Sequence, residues 1–349
     1  MSDTRGVFRL LDVVENKIED TWVALSDVWV SPSPTATTTT APNTGYFGGG
    51  PGPRSTMDKV TYASDTTAEV PGASLSLARQ YLAATGNSTA GYFGGGFTPG
   101  PSVRSTMDKV TYSTDTTAEV PGAALSLGRW YLAATGNSEV GYFGGGGPGT
   151  FSTMDKVTYA SDTTAAVPGA VLSIARSALA ATGNSTAGYF GGGTGAGVYS
   201  TMDKTTYSTD TTAAVPGAFL TAARRYLAAT GNSTAGYFGG GGGAGILSTM
   251  EKVTYSSDTT AALPSGANLS VARQNLAASS ARANALPEST TTINPAPAAP
   301  AVRFSDGRTE FNRSGYFGGG YPTTATMDKV AYSSDTTAGV PGAALSVAR

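Results

Sequence analysis

The chain has 349 residues, of which 47 are glycine and 19 proline, and only 13% are charged. Its formal net charge is −2 with lysine and arginine scattered, so there is no basic footprint for nucleic acid, and no apolar run reaches the roughly 18 residues that span a bilayer. Cysteine and histidine are both absent, which excludes disulfides, thiolate nucleophiles, the usual zinc sites and a Ser-His-Asp triad; a glycosidase-type carboxylate pair is the chemistry left open.

Residues 1–30 lack the charged and apolar regions of a signal peptide, so no secretory route is expected. Residues 7–14 and 21–30 read as two strands around a polar turn. This hairpin over residues 1–34 reads either as a cap on the body that follows or as a docking segment for a larger assembly. The second reading is adopted, with Phe8, Trp22 and Trp29 as docking residues. Residues 35–44, rich in threonine and following Ser31-Pro32-Ser33-Pro34, read as an extended linker that packs poorly.

From residue 45 the chain repeats. Gly-Tyr-Phe-Gly-Gly-Gly begins at Gly45, Gly91, Gly141, Gly188, Gly236 and Gly315, and every methionine but Met1 holds one repeat position, as Met57, Met107, Met154, Met202, Met250 and Met327. Each unit offers four strand-like segments: one ending in Ala-Ala-Thr, a Gly-Asn turn and the glycine-aromatic strand, an alternating Asp-Lys-Val-Thr-Tyr segment, and a short one stopped by Pro-Gly. Four short strands in a period of this size describe a propeller blade. The fold expected is all-β, a six-bladed β-propeller over residues 45–349.

Most length variation among the early units falls between the second and third strands. Methionine to the next Gly-Tyr-Phe is 34 residues in four successive units, while Gly-Tyr-Phe to methionine varies from 12 to 16. That loop shares a face with the connection between blades, and variable loops on a fixed scaffold are where recognition usually resides. Arg54, Phe97, Arg104, Phe151 and Tyr199 on this loop, and Trp130 just after a connection, are the candidate binding residues, with Phe97 and Trp130 as principal anchors. One unit carries an insertion at about residues 279–314, read as an arm to a neighbour or a surface loop.

The remaining repeated groups read as architecture. The glycine triplets lack the Gly-Lys-Ser/Thr ending of a phosphate loop. Asp-Thr-Thr, as at Asp65, reads as a turn whose carboxylate bonds local amides. The Asp-Lys pairs read as solvated. Arg79, Arg129, Arg176, Arg224, Arg273 and Arg349 are expected to stitch blades through backbone carbonyls, with an anion-binding ring as the alternative. No blade holds a distinct carboxylate pair, so no catalytic residue, cofactor or metal is expected.

Aromatic-Gly-Gly, a later tyrosine and a Pro-containing connection ending in arginine, as in Tyr92-Phe93-Gly94-Gly95, Tyr112 and Pro121 through Arg129, resemble the kelch repeat. The outer strand departs from it, with Thr-Thr-Ala in place of tryptophan. Thr4-Arg5-Gly6-Val7-Phe8, Asp27-Val28-Trp29-Val30-Ser31-Pro32-Ser33-Pro34 and Ala-Thr-Gly-Asn resemble more closely the Gly-Tyr-Phe-Gly-Gly-Gly repeat proteins of cyanobacterial viruses (cyanophages). The resemblance implies a non-enzymatic virion structural protein, part of a tail, tail fibre or baseplate appendage. Its implied partners are other virion proteins through the N-terminal segment, further copies of itself, and a host-surface glycan or protein. A carbohydrate-active propeller enzyme of glycosidase or sialidase type is the alternative.

Overall fold

The computed structural model describes residues 44–100, 102–280, 314–320 and 324–347. All belong to one compact unit; Phe8, Trp22, Trp29, Arg349 and the insertion from residue 281 to residue 313 lie outside the described residues.

Six antiparallel sheets follow one another along the chain as the blades of a β-propeller. In blade two the strands run, from the axis outward, Ala83–Gly86, Ala90–Gly94, Met107–Thr111 and Thr116–Glu119. The register pairs Thr85 with Tyr92, Tyr92 with Lys109 and Val110 with Thr117. Blades three, four, five and six repeat this order from inner strands Ala133–Gly136, Ala180–Gly183, Ala228–Gly231 and Ala277–Ser280. Blade one has three strands among the described residues, Thr44–Gly48, Met57–Thr61 and Thr66–Glu69. Ser279, Ser280 and Ser314 belong to strands of blade six, so the insertion starts later and ends sooner than its sequence bounds.

The core lies between blades. Tyr92 and Met107 of blade two pack with Phe143, Val157 and Tyr159 of blade three, under Leu125 and Leu132. The invariant pairing of glycine with methionine has a steric cause: a Cβ on Gly94 would stand 2.8 Å from the Met107 terminal methyl. A flexible thioether fills the narrow space that glycine leaves. The next two glycines turn the chain, Gly95 at φ +73° and Gly96 at +101°, where any side chain is strained.

Polar ties repeat with the same period. Arg129 is wholly buried, ion-paired with Asp155 of the next blade, and donates to the carbonyls of Gly145 at 3.1 Å and Thr153 at 2.8 Å. Arg79–Asp108, Arg176–Asp203, Arg224–Glu251 and Arg273–Asp328 are the corresponding pairs. The five described arginines do stitch the blades, and being buried they form no anion-binding ring. The acids of the Asp-Lys pairs, read as solvated, are instead in the core; a buried guanidinium demands a counter-charge, and this is the one in reach.

The lysines reach the other way. Lys109 lies 2.8 Å from Asp162, the aspartate of the next blade's Asp-Thr-Thr turn, and Tyr92 donates its phenol to the same carboxylate. That aspartate was expected to bond local amides; it sits at φ +52° and serves the neighbouring blade. Burial alone would raise the Asp162 carboxyl, but hydrogen bonds from Lys109 and Tyr92 and the Lys109 charge outweigh it and hold it below its ordinary value. Thr-Thr-Ala, standing where kelch blades carry tryptophan, makes a third tie: Thr117 donates to the Ala73 carbonyl at 2.5 Å, and Thr67 of blade one to Ala343 of blade six at 2.7 Å.

Candidate functional site

Between the described inner strands each connection crosses one face of the ring as Pro-Gly-Ala, or Pro-Ser-Gly-Ala at residues 264–267, a leucine and the buried arginine, then descends into the next inner strand through a second leucine. The residue before that leucine is Tyr81, Tyr131, Ala178, Tyr226 or Asn275, at φ between +53° and +60°. Left-handed backbone costs a non-glycine residue on the order of 1 kcal/mol or more. A hydrogen-bond relay around the axis offsets it. Tyr131 donates its N–H to the Tyr81 carbonyl at 2.9 Å, and Ala178, Tyr226 and Asn275 each donate to the preceding member at 2.8 Å.

This geometry turns the tyrosines toward the axis, where they rim a cavity of about 170 Å³. Its floor is aliphatic, formed by the leucines that follow them, and its polar groups include Gln80 and Asn275. The Asn275 Oδ1 is buried without a hydrogen-bond partner among the described residues. Tyr81 and Tyr131 stack with ring centroids 4.0 Å apart, Tyr226 lies 5.0 Å beyond, and the Arg225 guanidinium is 5.3 Å from the Tyr226 ring. Burial first, and then the hydrogen bond with Tyr81, raises the Tyr131 phenol well above its ordinary value, so it stays neutral. Among the described residues no carboxylate or amine lines the cavity. It offers aromatic faces, an aliphatic floor and neutral hydrogen-bonding groups.

Two of the six loop residues expected to bind meet at this mouth. The Trp130 ring lies 5.3 Å from Phe97, 5.7 Å from Tyr81 and 5.1 Å from Tyr131, and both Trp130 and Phe97 are half-buried. The other four do not converge. Arg54, Arg104, Phe151 and Tyr199 occupy one repeat position in four blades, and the carbonyl of each accepts the N–H of the following stitching arginine at 2.8 to 3.1 Å. Their shared task is carried by backbone, which explains why the side chain varies there. Arg104 also donates through Nε to the Thr98 hydroxyl at 3.2 Å.

Sequence reasoning missed Tyr81, Tyr131, Tyr226 and Asn275. The available signal was a position beside an otherwise constant leucine that alternates among Tyr, Ala and Asn. It also missed the contrast between faces. Apart from the buried arginines, the second-to-third-strand loops and the connections carry only Arg54, Arg104 and Arg225 as charges among the described residues. They expose Leu77, Leu127, Ile174 and Val271 at one repeat position, each 37% or more accessible. The opposite face carries the lysine–aspartate clasps. Compared with known proteins, the chain matches no protein-family model and no curated protein.

Proposed function

We propose that this chain is a non-enzymatic recognition and assembly propeller of a virus particle, part of a tail or baseplate appendage, and that it meets its partner with the loop face. The carrying observation is the division of chemistry between faces. Most charged side chains among the described residues join blades, while the loops and connections of the loop face are poor in charge, edged with exposed aliphatic residues and centred on an aromatic mouth. Exposed apolar surface of this kind marks interaction sites on soluble proteins. A glycosidase would need a carboxylate pair at its cavity, and the cavity lining supplies none among the described residues. Location in a virion rests on the resemblance of residues 4–8, 27–34 and the repeat body to cyanobacterial virus proteins.

Protein mass spectrometry of purified particles from the producing virus tests the reading. The chain is expected at a fixed stoichiometry with tail proteins, and lost when residues 1–34 are deleted. Its absence from purified particles refutes the virion assignment.

A further inference from the structure

The residue that follows each buried arginine changes from blade to blade: Gln80, Trp130, Ser177, Arg225 and Gln274. In the first four its part in the fold is played by backbone. Gln80 exchanges two hydrogen bonds with Phe97, Trp130 with Gly147, Ser177 with Thr194 and Arg225 with Gly242, at 2.7 to 3.1 Å. The fold therefore sets no side chain there, in blades that otherwise repeat almost residue for residue.

What these positions bring to the mouth is nonetheless ordered. Phe97, Trp130, Tyr131 and Tyr226 form one arc of rings with centroid steps of 5.3, 5.1 and 5.0 Å, and the Arg225 guanidinium closes it 5.3 Å from the last ring. All five are partly exposed, and the arc runs over blades two to five, where every inner strand and connection is among the described residues. Arg225 stacks on Tyr226 and makes no ion pair or side-chain hydrogen bond among the described residues, so the donors in its plane are unused. Gln274 stands beside it. A Cβ on Gly242, the backbone partner of Arg225, would lie 2.3 Å from the Gln274 Oε1, and glycine there leaves room for the amide.

A sugar ring rests its C–H bonds on an aromatic face and offers its hydroxyls to neutral amides, and both surfaces are present here. An unpaired guanidinium, with no carboxylate lining the cavity among the described residues, adds a preference for an anion that can accept two parallel hydrogen bonds. The ring-to-ring steps of 5.0 to 5.3 Å also match the advance of one unit along a sugar chain. We propose that the arc binds a carboxylated oligosaccharide, of uronic or sialic acid type. Its sugar rings stack along Phe97, Trp130 and Tyr131, and a carboxylate receives the Arg225 fork beside the Gln274 amide. An extended peptide suits the arc less well. It would need an open strand edge, and the backbone groups under the arc are already paired with one another. This rests on the reading of the loop face as the docking face and names the chemistry of what docks there.

The test exposes the full chain to an array of oligosaccharides containing galacturonate, glucuronate or N-acetylneuraminate, each beside its carboxyl-reduced counterpart, and titrates the best binder by calorimetry. Saturable binding to acidic members is expected, weakened about tenfold by carboxyl reduction, the worth of one hydrogen bond to a charged group. Arg225→Gln should weaken the acidic sugar about tenfold and leave its reduced counterpart unchanged, which isolates the contact between guanidinium and carboxylate. This variant removes no ring and no backbone bond, so folding is not at stake. Trp130→Ala should weaken both sugars alike, about fivefold. No saturable binding on the array, equal affinity for acidic and reduced sugars, or an Arg225→Gln variant that binds as well as the parent overturns the proposal. Incorporation of the chain into particles, measured separately, decides the virion assignment whichever way the titration falls.

Discussion

Tyr316, in the last blade, donates its phenolic proton to the carboxylate of Asp65, in the first, 251 positions away in sequence. Lys329 reaches the same carboxylate at 2.8 Å. The bond that joins the ends of the described ring is thus the bond that joins its interior, where Tyr92 and Lys109 hold Asp162.

Asp65→Ala and Asp162→Ala should therefore destabilise the protein equally. The clasps are about a third exposed, so solvent screens them, and a loss of about 1–2 kcal/mol each is expected. Urea unfolding measures it. If Asp65→Ala is nearly neutral while Asp162→Ala is not, the end blades are not joined in solution.

The buried pairs should be far less forgiving. Arg129 is wholly inaccessible, and removing its partner by Asp155→Ala leaves a guanidinium uncompensated in the core at a cost of about 3–5 kcal/mol. Burial already depresses the Arg129 pKa, and the Asp155 charge is what opposes that shift. Replacing both residues by leucine should recover much of the loss, because the cost lies in the stranded charge. Equal losses for the single and double variants would contradict this account.

The pH dependence follows from two opposite shifts. In Asp115, Asp162, Asp210, Asp258 and Asp335 burial alone raises the pKa, but hydrogen bonds from the clasping lysine and tyrosine and the lysine charge hold it below 3.8. The unfolded chain then takes up these protons more readily, so the stabilisation is complete above 3.8 and lost as pH falls through the folded value. In Tyr92, Tyr142, Tyr189 and Tyr237 burial first, then the aspartate, raises the phenol above 10.0. Their contribution is complete below 10.0 and lost as pH rises beyond it. Thermal unfolding should show a plateau from about pH 5 to about pH 9 with a fall on each side. A sharp optimum inside that range would contradict the assignment.

Phe97→Ala with Trp130→Ala should weaken partner binding. Free loop aromatics would leave stability nearly unchanged, but these rings are half-buried and packed on Tyr81 and Tyr131. A loss of about 1–3 kcal/mol is therefore expected, seen as a lower urea midpoint. Tyr226→Ala, on the far side of the mouth, should reduce binding at a smaller stability cost. Unchanged binding by both variants would place the docking surface away from the mouth.

Strand order and blade count were legible because each unit states them again: alternation, Gly-Asn turns and Pro-Gly stops recur with a nearly constant period. What could not be read was which partner a charge chooses. Asp108 and Lys109 are neighbours in sequence, yet Asp108 turns inward to Arg79 of the preceding connection and Lys109 outward to Asp162 of the next blade. Adjacent strand residues point to opposite faces, so a motif that looks like one ion pair is half of two. The mouth was hidden for a related reason. Tyr81, Tyr131 and Tyr226 are far apart in the chain and converge only because each sits at the same radius of the ring.

Every tie described above has its two halves in different units: arginine to acid, lysine and tyrosine to aspartate, threonine to carbonyl. Each unit is thus a coupling with one kind of plug and one kind of receptacle, and any copy fits any other. A lineage that duplicates, loses or exchanges a unit inherits a working joint without inventing one. New loop sequences can then be brought to the loop face by recombination among copies.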